Sequence, residues 1–463
     1  MDATGCPGRA QAAPPGGVPW CPAATALLGI PGLVVTAVTQ GEDGWTIVDV
    51  ATAPDQEEHA RRCPDCGQRA AVKEWVTTTP RDILLGDRQL LPRWRKRRWA
   101  CENEECPRGT FTESLPAVPP RARLTARLRA RIGEAIGDDL MPAAQAARLY
   151  GVSDRTAAAA FTAYAGTQLG DLREHQGPAE AAGIDEFRRG IPGPAAGDGE
   201  ARSEWFTHLV DLGDGGTLGL ARERTGEAGK SLLDSHAGKL RYLAMDLSAP
   251  YRSTVPAGVT VIADAFHLVK LANRKIDDAF RRLGYRTEHA HEDLGLPRPL
   301  HYMLRYNIEN LDPDHLDTII TTLDGDGDGQ QIAAIWIAKE QLRALLALRA
   351  TKTHVTPAPS AVRDKLAAFY RWCADHADIP EIRTLANTIG KWQQPIIDAV
   401  LTGYSNAKAE AHNRTAKLVA RNARGFANPG NQARRVRMAT TRTVRLARRS
   451  HQRRRSREVA MAP

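Results

Sequence analysis

Gly183-Ile-Asp-Glu-Phe187 is the stretch on which the reading of this chain turns. It is a short apolar run with an acid, Asp185, at its centre, and short apolar runs between loop-forming segments read as buried strands. Downstream, Trp205-Phe-Thr-His-Leu-Val-Asp211 and Thr217-Leu-Gly-Leu-Ala221 read as the second and third strands of a meander, with Asp211 structural. A helix follows through Gly229-Lys-Ser-Leu-Leu-Asp-Ser-His236. Arg241-Tyr-Leu-Ala-Met-Asp246 predicts a fourth strand ending in an acid. After a brief helix at Pro250-Tyr-Arg-Ser, Gly258-Val-Thr-Val-Ile-Ala-Asp264 predicts a fifth, also ending in an acid.

Three strands, helix, strand, helix, strand is the plan of the RNase H fold, in which acids on the first and fourth strands become neighbours. The fold class is therefore α/β, with an RNase H-like core whose first part spans 180–284. Residues 285–398 read as a helical insertion, with Trp336 and Trp372 in its core. Within it, Asp324-Gly-Asp-Gly-Asp-Gly329 invites a calcium-loop reading, but Ile335 stands where that loop requires a bidentate Glu. A flexible acidic linker is expected instead. The second part of the core, 399–433, holds a helix over 404–424. On it Asn406, Glu410, Asn413, Lys417 and Arg421 recur at the intervals that share one face. One carboxylate among amides and cations makes that face a candidate for contact with a metal and with phosphate.

Upstream, Cys63-Pro-Asp-Cys66 is a tight turn that lets two thiolates reach one ion, and Cys101 and Cys106 form a second pair. Four thiolates suit a closed, structural Zn²⁺ site. The strand-like sequence between the pairs predicts a hairpin returning one to the other, giving a ribbon-like domain over 27–118. In Arg93-Trp-Arg-Lys-Arg-Arg-Trp99, the cations Arg95, Lys96, Arg97 and Arg98 are candidates to grip phosphate, with Trp94 and Trp99 packing the ribbon. Residues 119–172 carry a helix from Thr125 with Leu128, Ile132 and Ile136 at helical spacing, then Pro142 at a helix start, Gly151 at a turn and Ser153 as an N-cap. That is a helix-turn-helix pattern, with Asp154, Arg155 and Thr156 at the start of the DNA-reading helix.

The 463 residues carry a net charge of +9 with 42% hydrophobic residues, which excludes a disordered chain and favours a polyanionic partner. Residues 434–463 read as a basic tail: 434–457 hold 11 arginines and no acid. Residues 1–26 read as disordered, with Cys6 and Cys21 incidental. With no signal peptide and no membrane-spanning run, a cytoplasmic protein without a membrane partner is expected.

Four segments then add a resemblance: Gly-Ile-Asp-Glu-Phe, Met-Asp-Leu-Ser-Ala-Pro-Tyr-Arg, Asp-Ala-Phe-His-Leu-Val-Lys-Leu-Ala-Asn and Ser-Asn-Ala-Lys-Ala-Glu-Ala-His-Asn. In that order, behind paired cysteines and a helix-turn-helix, the chain resembles bacterial insertion-sequence transposases of the ISL-three group over about residues 60–440. The resemblance implies a DNA transposase with an Asp-Asp-Glu site and two divalent metals, Mg²⁺ or Mn²⁺. Asp185 would bridge both ions, Asp246 hold one and Glu410 the other. Asp264 is the rival for the second position. Otherwise Asp264 and His267, which resemble the Asp/Cys-x-x-His element of several transposase families, orient DNA or buttress the site. Double-stranded DNA (transposon ends and target) and a homodimer or larger assembly are the implied partners. A transposase-derived regulator that no longer cuts, or another RNase H-like nuclease, are the alternative functions.

Overall fold

The computed structural model describes residues 19–460, apart from 42–43, 87, 176–178, 190–204, 237, 248, 286–293, 351–354 and 427. The chain forms two compact units, Met1–Asp171 with Asn422–Arg424, and Leu172–Arg421 with Gly425–Pro463. Of the disorder expected over 1–26, the part up to residue 18 lies outside the described residues, whereas Pro22–Leu28 is a helix. Cys21, read as incidental, is disulfide-bonded.

The first unit is built on a sheet of β1 (Leu33–Gln40), β2 (Trp45–Thr52), β3 (Ala70–Thr78), β4 (Asp82–Leu85), β5 (Arg88–Cys101) and β6 (Thr110–Thr112), in the order β1-β2-β5-β3 with β4 and β6 also on β5. The long β5 is its spine, and Leu90 and Trp94 on it pack with Val48, Val50 and Leu115 in the core. Helices Ala126–Gly137, Ala143–Leu149 and Asp154–His175 follow. Leu128, Ile132 and Ile136 are buried along the first of them. Gly151, at φ +62°, makes the turn before the third, and Ser153 Oγ accepts from the Thr156 N–H at 3.2 Å.

The sequence separates the ribbon (27–118) from the helices (119–172), but the structure joins them. Asp82 of β4 is buried and accepts from Thr125 Oγ1 at 2.6 Å and from the Arg127 guanidinium, which also donates to Leu28 O at 2.6 Å. A buried carboxylate needs such partners, so the ribbon and the first helix fold together.

The second unit is built on β7 (Ala181–Arg188), β8 (Trp205–Asp211), β9 (Thr217–Arg222), β10 (Tyr242–Met245) and β11 (Thr260–Ala263). Their order is β11-β10-β7-β8-β9. The first three form an antiparallel meander, and β10 and β11 run parallel to β7. Helix Gly226–Asp234 follows the meander and Ala249–Arg252 separates β10 from β11, which leads into helix Ala265–Leu283. Helices Pro313–Asp324, Gly327–Ala347, Pro359–Asp375 and Pro380–Lys391 pack with that helix in one core. Trp336 is buried, and Trp372, partly buried, donates from Nε1 to Ala334 O at 2.9 Å. The expected acidic linker is a helix start: Asp326 Oδ1 accepts from the Gly329 N–H at 2.6 Å and caps Gly327–Ala347. Lys339 is fully buried there, its Nζ held by the carbonyls of Leu304 (2.6 Å) and Tyr306 (2.8 Å).

Helix Ala407–Asn422 closes onto β7. The approach is so close that a Cβ on Gly183 would stand 2.3 Å from Asn406 Oδ1. The run read as a basic tail is helical. Pro429–Thr440 and Arg442–Ala460 are helices, with Arg435 and Arg445 buried and the Thr440 hydroxyl 2.7 Å from that of Thr217 on β9.

Candidate functional site

Three acids lie level across adjoining parallel strands, Asp185 in the middle of β7 and Asp246 and Asp264 just past the ends of β10 and β11. Ala244 pairs with Gly183 and Met245 with Ala263, so two steps beyond Gly183 on β7 stands Asp185, two steps beyond Ala244 on β10 stands Asp246, and one step beyond Ala263 on β11 stands Asp264. Asp264 caps the following helix, and its Oδ2 lies 2.9 Å from His267 Nδ1. Glu410 arrives from helix Ala407–Asn422, and ligand atoms of Asp264, His267 and Glu410 all lie within 4.8 Å of one another. Asp185 is buried, its Oδ2 accepting from Asn413 Nδ2 at 2.7 Å and its Oδ1 from the Glu186 N–H at 2.8 Å.

Electrostatics mark the same place. Burial pushes the Asp185 carboxyl up to about 7, and the charges of Glu186 and Asp246 push the same way. Glu410 is raised by burial and then by the charge of Asp264. His267 is raised by its bond to Asp264. Among the described residues, neither Asp185 nor Glu410 forms an ion pair with lysine or arginine. Carboxylates gathered beside one imidazole are a donor set suited to a hard divalent cation.

Sequence reasoning passed over Glu186 and Tyr251. Glu186 is raised by burial and by the charge of Asp246, and Tyr251, itself raised by burial, has its hydroxyl 3.0 Å from that of Thr207. Glu186 Oε2 is buried without a hydrogen-bond partner among the described residues. A strand places neighbours on opposite faces, so Glu186 lies across β7 from Asp185, on the side of Tyr251 rather than of Asn413. His208 and His412 form a buried pair with ring centroids 6.1 Å apart, and burial takes the His208 imidazole down to about 3.

The residues read as DNA contacts divide. Asn406 is fully buried and donates to Ile184 O at 3.0 Å, so it clamps the helix to β7 and does not reach phosphate. Asn413 is committed to Asp185 and, at 3.3 Å, to Glu186 O. Lys417 and Arg421, further along the same stripe, are exposed. On β5, Lys96 is buried with its ammonium 4.8 Å from the Trp94 ring centroid. Arg97 is paired with buried Glu113 at 3.0 Å, and Arg98 with Glu74 at 2.9 Å. Both Lys96 and Arg97 are thus removed from any phosphate, whereas Arg95 stays exposed, its guanidinium 5.0 Å from the Trp75 ring centroid. Asp154 and Arg155 are exposed at the start of their helix and Thr156 is half-buried.

In the first unit, the register of Ala70 with Cys101 returns β5 to the Cys63–Cys66 turn. Cys63 and Cys106 Sγ lie 3.8 Å apart and Cys66 and Cys101 Sγ 3.5 Å apart. Tetrahedral zinc with Zn–S bonds of about 2.3 Å requires sulfur separations of about 3.8 Å. The backbone N–H of Cys66 lowers the Cys63 thiol to about 7, readying it as a thiolate. The four-cysteine cluster could bind zinc.

A family model described as Transposase matches residues 197–436, and one described as Helix-turn-helix domain of transposase family ISL3 matches 113–165. No curated protein matches the chain. Among solved structures, it is similar to the Drosophila P element transposase strand transfer complex at 11% identity and a TM-score of 0.38, over 68% of this chain and 91% of that one. So loose a likeness bears no weight here. No helix among the described residues is long and apolar enough to cross a membrane.

Proposed function

The chain belongs to transposase family ISL3, and we propose that it binds the terminal inverted repeats of an insertion sequence and cuts and rejoins DNA strands there with divalent metal ions. The observation that carries this reading is the level row of Asp185, Asp246 and Asp264 on three adjoining strands, met by Glu410 and His267 from two helices. The sheet order, three antiparallel strands followed by two parallel ones beside the first, supports an RNase H-like core with the helices between residues 285 and 398 as its insertion.

In this reading Asp185, Asp246 and Glu410 hold Mg²⁺ or Mn²⁺. Bound there, the ions supply Lewis-acid activation of the attacking oxygen and charge relief at the leaving oxygen. The chain's own residues set the geometry. Asn413 fixes the Asp185 carboxylate, Asn406 fixes the helix that carries Glu410, and Asp264 orients His267. The closeness of Asp264 to Glu410 keeps it a second candidate for the place given to Asp246. The cysteine cluster holds structural Zn²⁺, and Arg155 and Thr156 meet base edges. Joining two DNA ends calls for two copies of the chain in one assembly.

The test is a Mg²⁺-dependent cleavage assay on duplexes carrying the inverted repeats that bracket the reading frame. Asp185→Ala and Glu410→Ala are expected to abolish cleavage and keep duplex binding; cleavage by either variant overturns the active site. Comparing Asp246→Ala with Asp264→Ala assigns the remaining ligand. A wild-type protein that binds these ends and never cuts them would be a regulator.

A further inference from the structure

Beside the helix-turn-helix runs a groove of about 800 Å³ between the segment Pro119–Leu124, helix Ala126–Gly137 and helix Asp154–His175. We propose that this groove holds the sugar–phosphate backbone of duplex DNA, with Arg121, Arg123 and Arg129 each neutralising a phosphate. The proposal rests on helix Asp154–His175 being the DNA-reading element and adds a site for the strand beside it.

Charge carries the argument. Arg121, Arg123 and Arg129 all line the groove, all are exposed, and no carboxylate lines it. None of the three has an ion pair among the described residues. The other arginines of helix Ala126–Gly137 are used otherwise: Arg127 binds Asp82, and Arg131 binds Glu134 at 3.0 Å and Asp139 at 3.1 Å. The arginines facing the groove are thus the ones left for an outside anion.

Shape agrees. Alanines such as Ala126 and Ala160 line the groove and give a polymer backbone close approach. The rim is held rather than trailing: the Arg81 N–H donates to Arg123 O at 2.9 Å, and the Thr125 N–H donates to Arg81 O at 2.9 Å. Arg121 sits at φ +58°, a conformation a side chain tolerates only when its surroundings impose it, so the rim has a specified form. A pinned rim suits phosphates passing along it better than an arm reaching into a minor groove. An acidic protein segment would meet the same charge. DNA is favoured because Thr156 both lines the groove and stands in the first turn of the DNA-reading helix.

The experiment titrates a fluorescent mixed-sequence duplex with the full chain across a salt series. Each phosphate contact contributes about 0.9 to the slope of log K against log salt, so the variant R121A/R123A/R129A is expected to lose roughly 2.7 from that slope and to bind at least about tenfold more weakly. The variant R121K/R123K/R129K should keep the slope. An unchanged slope in the alanine variant overturns the proposal and leaves the groove to an acidic protein. Equal loss in both variants, or a fall in melting temperature in the alanine variant, also overturns it, since shape and not charge would then matter. If the wild-type chain binds no duplex, the DNA-reading role itself fails, a result distinct from the others.

Discussion

Asn413 donates its side-chain amide to Asp185 Oδ2 at 2.7 Å, joining a helix to a strand 228 residues earlier in the chain. The bond fixes the orientation of a carboxylate otherwise held in a poorly hydrated place. Removing one hydrogen bond to such a group costs about 2 kcal/mol. Asn413→Ala is therefore expected to lower stability by that amount and to slow cleavage. Asn413→Asp sets a second acid against Asp185 and should lower the melting temperature further at about pH 8, with Mg²⁺ restoring much of the difference. Differential scanning fluorimetry with and without Mg²⁺ measures both, and an Asp variant as stable as wild type in chelator would show that the two side chains do not meet.

The proton on Asp185 makes stability depend on pH in a defined direction. Its carboxyl lies at about 7 in the fold against an ordinary 3.8, so the folded chain holds a proton that the unfolded chain releases. That contribution is complete below about pH 3.8 and is lost as pH rises through about 7. Metal-free protein should lose more stability across this window than Asp185→Asn. Because a metal must displace the proton, stabilisation by Mg²⁺ should grow from about pH 6 to about pH 8. Equal stabilisation at both values, or in Asp185→Asn, would remove Asp185 from the metal's contacts.

The cysteine cluster predicts one zinc per chain. Cys63→Ser or Cys106→Ser should release it and unfold the first unit, because zinc binding and folding are one event in sites of this kind. Elemental analysis, with circular dichroism before and after chelation, reads the outcome. A protein that keeps its zinc after both substitutions would place the metal elsewhere.

Two arginines on one strand should behave oppositely. Arg97 serves buried Glu113, and removing one partner of such a pair costs about 3–5 kcal/mol, so Glu113→Ala and Arg97→Ala should both melt early. Arg95 is exposed, so Arg95→Ala should leave the melting temperature within about 1 °C and weaken duplex binding. If Arg97→Ala instead binds poorly and melts normally, the pairing is misassigned.

The strands around the site were legible because each is an apolar run closed by an acid or a turn, as at Tyr242–Met245 before Asp246. The helix-turn-helix was legible in Gly151 and Ser153, whose roles are local. Partners fixed by tertiary register were not. Arg97 and Glu113 meet only because β6 folds back on β5, and no spacing rule announces that. The stripe from Asn406 to Arg421 shows the related limit: helical spacing defines a face but not where along it the core ends. Here it ends between Asn413, half-buried, and Lys417, exposed. Asp324–Gly329 misled because acids and glycines suggest open chain, whereas Asp326 is spent on a helix cap.

The bond between Asn413 and Asp185 spans most of the second unit, and that has a consequence during synthesis. A ribosome completes the cysteine cluster and the helix-turn-helix long before it reaches Glu410. Any chain that stops between residues 300 and 400, through a premature stop codon or proteolysis, would carry the four cysteines and the helix-turn-helix and lack both Asn413 and Glu410. Under the proposed function such fragments would bind duplex DNA and leave it uncut, so the order of the parts along the chain makes a shortened product a competitor of the full-length one.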